Sequence, residues 1–84
     1  MKMSRDPQTT ISYQLPEASE VTLIIRNATG QTVRTLVDAR KEAGRYEVVW
    51  DSLDDSGKEV AAGMYLYELK AGDFAQVRKM TLIR

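Results

Sequence analysis

Asp51, Asp54, Asp55 and Ser56 fall within six residues of one another, in the run Trp50-Asp51-Ser52-Leu53-Asp54-Asp55-Ser56-Gly57-Lys58. Carboxylates and hydroxyls gathered on a loop are oxygen donors for a hard cation, so calcium is the chemistry this run could support. The spacing departs from the Asp-x-Asp-x-Asp-Gly loop with its distal Glu. A second reading needs no ion. Asp and Ser side chains cap turns by accepting bonds from nearby backbone N–H groups, and Gly57 supplies the positive φ such turns ask for. The turn-capping reading is preferred. No metal and no cofactor is therefore expected, and Asp51, Asp54 and Asp55 are the ligands of any calcium that binds.

The chain has neither His nor Cys. That removes the commonest general bases, nucleophiles and transition-metal ligands together. No catalytic residue is assigned, and the protein is not expected to be an enzyme. Disulfides are excluded, so stability must come from packing. Trp50, Tyr65 and Tyr67 could form a stacking platform for a sugar. The core reading is preferred, because Trp50 closes an inward-facing alternation. Gly63-x-Tyr65 also resembles a tyrosine corner, in which the hydroxyl bonds back to the backbone.

Lys and Arg number 12, as do Asp and Glu, for a net charge of zero. Nucleic-acid surfaces and polybasic membrane patches need a basic excess, so neither partner is expected. No apolar run is long enough to span a membrane, and no membrane insertion is expected. The basic residues are mostly interleaved with acidic ones, which reads as a solvated mixed surface. At 84 residues the chain suits one domain. Residues 1–7 have no apolar stretch of the signal-peptide kind and read as an expression start or linker remnant. The domain is assigned to residues 8–84, and a monomer is the expected state.

The elements that position these residues are short alternating segments separated by turn signals, without a sustained helical period. Strands are predicted at 11–15, 21–26, 31–37, 45–50, 64–70 and 74–83. Val21-Thr22-Leu23-Ile24-Ile25-Arg26 is the strongest by β-branched content. Alternation breaks near Leu36-Val37, which predicts a bulge or strand end. Asp38 to Gly44 is charged and is read as at most a helical turn. Asn27-Ala28-Thr29-Gly30 and Ala71-Gly72-Asp73 read as tight turns. The whole predicts an all-β, immunoglobulin-like antiparallel β-sandwich of six or seven strands. Its core is predicted to be Ile11, Tyr13, Leu15, Val21, Leu23, Ile25, Val33, Leu36, Tyr46, Val48, Trp50, Tyr65, Tyr67, Leu69, Met80 and Leu82. Tyr13 and Tyr46 are placed nearer the sheet edge.

An ordered set of short motifs carries a family likeness: Thr10-Ile11-Ser12-Tyr13-Gln14-Leu15-Pro16, Asn27-x-x-Gly30-Gln31, Val33-Arg34-Thr35-Leu36, Gly44-x-Tyr46-x-Val48-x-Trp50-Asp51, Asp54-x-x-Gly57-Lys58, Ala62-Gly63-Met64-Tyr65-Leu66-Tyr67 and Arg78-Lys79-Met80-Thr81-Leu82. Together they resemble the type A C-terminal sorting domains of the type IX secretion system. Those domains grade into the immunoglobulin-like domain of the flagellar hook-capping protein. The resemblance covers about Gln8 to Arg84. It implies a non-catalytic C-terminal sorting and anchoring domain that directs an exported passenger to the bacterial cell surface. The implied location is secreted or cell-surface, reached through the periplasm. The implied partners are the outer-membrane secretion machinery and a passenger domain on the N-terminal side. The closing run Lys79 to Arg84 fits a terminal signal, and Lys79 and Arg84 are singled out for recognition. The alternative is a passive accessory domain, a spacer or stabiliser, of a modular extracellular enzyme. A carbohydrate-binding module ranks third.

Overall fold

Val21, Leu23 and Ile25 each leave no more than 1% of their surface exposed, and they line one face of the central strand. Around them a computed structural model describes residues 8–83. There are six strands: β1 (Thr9–Leu15), β2 (Ser19–Asn27), β3 (Thr32–Lys41), β4 (Gly44–Trp50), β5 (Gly63–Ala71) and β6 (Phe74–Leu82). They form two antiparallel sheets. β1 pairs with β4, and the other four run in the order β3-β2-β5-β6. The expected all-β sandwich is what the chain forms.

The core lies between the sheets. Ile11, Tyr13, Leu15 and Trp50 come from the small sheet, and Val21, Leu23, Ile25, Tyr65, Leu69, Ala71 and Leu82 from the large one. Half-buried Val33, Leu36, Tyr46, Val48, Tyr67 and Met80 pack against it, so every predicted core residue contributes. Ala71, Val37 and Val60 join them without having been anticipated. Full burial of an aliphatic side chain is worth about 1.5–3 kcal/mol, and Val21, Leu23 and Ile25 are the most completely buried aliphatic set on any strand.

β3 departs from the sequence reading in length. The segment 38–41 is strand, not a helical turn, and pairs Ser19↔Lys41, Val21↔Ala39 and Thr22↔Asp38. The first half of β2 must find a partner for its ladder, and that tertiary demand overrides the weak local preference of a charged segment. Lys41 sits 5.6 Å above the Tyr46 ring, which gives its ammonium a favourable face to rest on. The anticipated bulge is present. Leu23 pairs with Val37 and Ile24 with Thr35, which leaves Leu36 without a partner. A second shift skips Val33. Each extra residue resets the two-residue period, and so Val33, Leu36 and Val37 can all reach the core from one strand.

The chain changes sheets twice by the same device. Between β3 and β4, Gly44 takes φ +149° and the Tyr46 hydroxyl donates to the Glu42 carbonyl at 2.7 Å. Between β4 and β5, Gly63 takes φ +146° and the Tyr65 hydroxyl donates to the Ala61 carbonyl at 2.6 Å. Only glycine adopts such φ readily, and the tyrosine then locks the corner it opens.

Trp50 is fully buried and meets Tyr65 edge-on across the two sheets, with ring centroids 5.5 Å apart. Trp50→Ala should cost about 3–5 kcal/mol through lost contacts and the cavity left behind. Urea unfolding followed by circular dichroism reads this as a lower transition midpoint. An unchanged midpoint would contradict the core assignment.

Candidate functional site

The loop between β4 and β5 is built as a small hairpin of its own. Leu53 bridges to Glu59, the Asp54 N–H donates to the Lys58 carbonyl at 2.8 Å, and the Val60 N–H donates to the Ser52 carbonyl at 3.0 Å. Ser52 is buried and takes φ +67°, the one non-glycine residue at positive φ among those described. The Trp50 indole N–H donates to the Leu53 carbonyl at 2.9 Å, tying the loop to the core.

The three aspartates serve three different purposes. The Asp51 carboxylate accepts from the Leu53 N–H at 3.1 Å and from Arg34 at 3.2 Å. The same Arg34 donates to the Leu53 carbonyl, so β3 and the loop are pinned together. Asp54 accepts from the Ser56 N–H, the Ser56 hydroxyl and the Lys58 N–H at 2.9, 2.6 and 3.0 Å. These donors favour the ionised form, the Ser56 hydroxyl most, and hold the Asp54 carboxyl below its ordinary pKa of 3.8. Asp55 turns outward to β3. Its N–H donates to the Val33 carbonyl at 2.9 Å, and its carboxylate accepts from the Thr35 N–H at 3.0 Å. Among the described residues no group of three or more acidic side chains is placed to hold a metal ion. What the cluster does is cap turns and cover a strand edge.

The β2–β3 turn repeats the Asp54 turn bond for bond. Asn27 accepts through its side-chain oxygen from the Thr29 N–H, the Thr29 hydroxyl and the Gln31 N–H. Its own N–H donates to the Gln31 carbonyl, and the Gly30 N–H donates to the Asn27 carbonyl. The shared signal is Asx-x-Ser/Thr-Gly followed by Gln or Lys, a pattern present in the sequence but visible as a repeat only once both turns are seen. The two turns flank an open groove of about 500 Å³, lined among others by Gln31, Ser56, Val60 and Tyr65. The Asn27 and Asp54 carbonyl and carboxylate oxygens on its rim are already engaged in their own turns.

No aromatic platform forms. Trp50, Tyr65 and Tyr13 are buried, Tyr46 and Tyr67 pack against the core, and Phe74 alone is exposed. Tyr13 lies opposite Tyr46 in register, and their rings stack at 5.2 Å. The expected edge position holds in that both strands of the small sheet are edges, yet the Tyr13 ring is buried. Of the basic residues, Arg26 pairs with Glu68 at 3.1 Å and Arg34 with Asp51. Lys79 stands exposed on β6, opposite Leu66. Arg84 lies outside the described residues. No helix is long and apolar enough to cross a membrane among the described residues.

The comparisons with known proteins agree with this architecture. A family model described as the FlgD Ig-like domain matches residues 2–73. The chain belongs to this family. Its FlgD-type match covers most of the chain and ends in the turn before β6. A crystal structure of FlgD from P. aeruginosa superposes with a TM-score of 0.68 at 22% identity, over 90% of this chain. This chain spans 60% of that structure's length, and at such identity the likeness is one of fold. No curated protein matches. The FlgD Ig-like assignment supports the hook-capping side of the resemblance drawn from the motifs, and not its type IX sorting side.

Two predictions follow from the turn and corner geometry. Tyr65→Phe should cost about 1 kcal/mol, the net worth of one partly buried hydrogen bond, and Tyr46→Phe less, since water can replace an exposed bond. Paired urea titrations measure both. Asp54→Asn should keep its turn at neutral pH, as Asn27 does in the equivalent place. Because the folded pKa of Asp54 is depressed, its contribution is complete above pH 3.8 and is lost as pH falls through the lower folded value. Stability of the native chain relative to the Asn variant should therefore decline in acid below that point, and a parallel pH dependence of the two would contradict the assignment.

Proposed function

We propose that this FlgD-type immunoglobulin-like domain is a non-catalytic accessory module, a rigid spacer or stabiliser within a larger exported protein. The observation that carries this reading is that the polar clusters brace the fold. The Asp-rich loop, both Asx turns and Arg34 bond to backbone or to one another, so none is set out for substrate. The family match supports the same reading. A location outside the cytoplasm and a monomeric state belong to this proposal.

A second reading, C-terminal sorting and surface anchoring of a passenger, draws support from one feature: β6 is an outermost strand whose outer side no other strand covers among the described residues. An uncovered strand offers backbone groups to a receptor. In this reading the receptor is the outer-membrane secretion machinery, and Lys79 and Arg84 contribute to recognition.

The two readings separate in one experiment. Residues 8–84 are fused behind a signal peptide and fluorescent reporter, in a bacterium with a working type IX pore and in its pore mutant. Protease-resistant reporter held in the periplasm of both strains is the expected result for an accessory module. Surface or released reporter that requires the pore would overturn it in favour of sorting. The isolated chain should also unfold in a single cooperative transition, as an autonomous module must.

A further inference from the structure

The two outer edges of the four-stranded sheet are treated differently. The β3 edge is twice bulged, and Asp55 plugs it by bonding the Val33 carbonyl and the Thr35 N–H. Among the described residues β6 has neither protection. It pairs with β5 through nine consecutive residues without a register shift, from Ala71↔Phe74 to Gly63↔Leu82. It contains no proline, and its outer side therefore presents a regular row of backbone donors and acceptors.

The side chains along this edge are one-sided in charge. From Phe74 onward the chain has no Asp or Glu, although the protein as a whole is neutral. Arg78 and Lys79 are adjacent at the middle of β6. Arg78 donates to the Gln76 side-chain oxygen at 2.9 and 3.0 Å with that amide turned to accept. Neither cation has a carboxylate partner among the described residues, whereas Arg26 and Arg34 in the same sheet do. Three of the five exposed large apolar residues among those described, Phe74, Val77 and Ile83, also lie on or just past this strand.

Register assigns these groups to faces. Phe74 and Arg78 lie opposite Ala71 and Tyr67, on the core side of the sheet, and Val77 and Lys79 lie opposite Glu68 and Leu66, on the outer side. Each face of the edge thus offers an exposed apolar group and then a cation. A second copy of the chain does not complement this. Antiparallel pairing of two β6 strands about their midpoint sets Arg78 against Arg78, and like charges directly opposite are destabilising.

We propose that the β6 edge is a docking site for an extended segment of a partner protein, added as a further strand, with adjacent acidic residues opposite Arg78 and Lys79 and apolar residues opposite Phe74 and Val77. Backbone bonds supply the attachment and the two cations set register and partner choice. This inference is independent of whether the module acts as a spacer or as a sorting domain.

The test uses the chain itself and a fluorescein-labelled nine-residue peptide of valines and threonines with two adjacent central glutamates. A matched peptide carrying two lysines is the control. Fluorescence anisotropy at low salt should show the glutamate peptide binding about tenfold more tightly than the lysine peptide, as two added cross-strand charge pairs imply. Added salt should narrow that difference. Amide exchange along Phe74 to Leu82 should slow when the glutamate peptide is bound. The double variant R78T/K79T, altered only at exposed positions, should keep its melting temperature and lose the preference. Equal binding of both peptides, or of neither, overturns the proposal, as does binding that leaves β6 exchange unchanged. If R78T/K79T instead turns the chain into a dimer while the native chain ignores the glutamate peptide, the two cations serve only to prevent self-pairing.

Discussion

The indole of Trp50 has two requirements, and meeting both shapes much of the molecule. Its ring needs a dry apolar site, which the facing strands provide: it is fully buried and meets Tyr65 across the sheets. Its N–H, once buried, needs an acceptor, since an unpaired buried donor costs about 1–3 kcal/mol. The Leu53 carbonyl supplies it. The loop must fold back within three residues to bring that carbonyl into place. The buried turn at Ser52, with its positive φ, accompanies that reversal. Arg34 then bonds the same carbonyl from β3, and Asp51 holds Arg34. Core, loop and strand edge are thereby one connected arrangement.

A chain this short has few ways to stabilise itself beyond such connections. It has no disulfide, and a small domain buries only about 60–65% of its unfolded surface. The structure reuses two local solutions. The Gly-x-Tyr corner serves both crossings after β3, and the Asx-capped turn serves both loops at one end of the sandwich. In each, a side chain satisfies backbone groups that the ladder of strands cannot reach. Reuse explains why the polar residues that look reactive in the sequence are occupied in the fold.

This occupancy directs attention away from the loops and toward the sheet. The conspicuous carboxylates, the two capped turns and the aromatic residues around Trp50 are structural. β6 combines an uncovered, regular edge with two adjacent cations, Arg78 and Lys79, that have no carboxylate partner among the described residues. In this FlgD-type immunoglobulin-like module the sheet edge at β6 is the surface on which the proposed contact rests.

The sequence by itself determined the strands whose apolar residues alternate, because a two-residue period can bury only one face. β1, β2, β4 and β5 are legible on that ground. Ile11, Tyr13 and Leu15, and likewise Val21, Leu23 and Ile25, share faces by spacing alone. The turns at Gly30 and Gly72 were legible because positive φ narrows the choice of residue. The break at Leu36 was legible as a lost period. Tertiary structure decided the rest. Segment 38–41 is strand because β2 lies beside it, a fact no local preference contains. Asp54 is capped within its own turn, but the Arg34 partner of Asp51 and the Thr35 partner of Asp55 depend on β3 passing next to the loop, across about 20 residues of chain in the case of Thr35 and Asp55. The same carboxylate spacing would suit an ion in a loop standing free. Here the Thr35 N–H takes up an Asp55 oxygen and the Arg34 side chain one of Asp51, and only the folded chain brings β3 within reach.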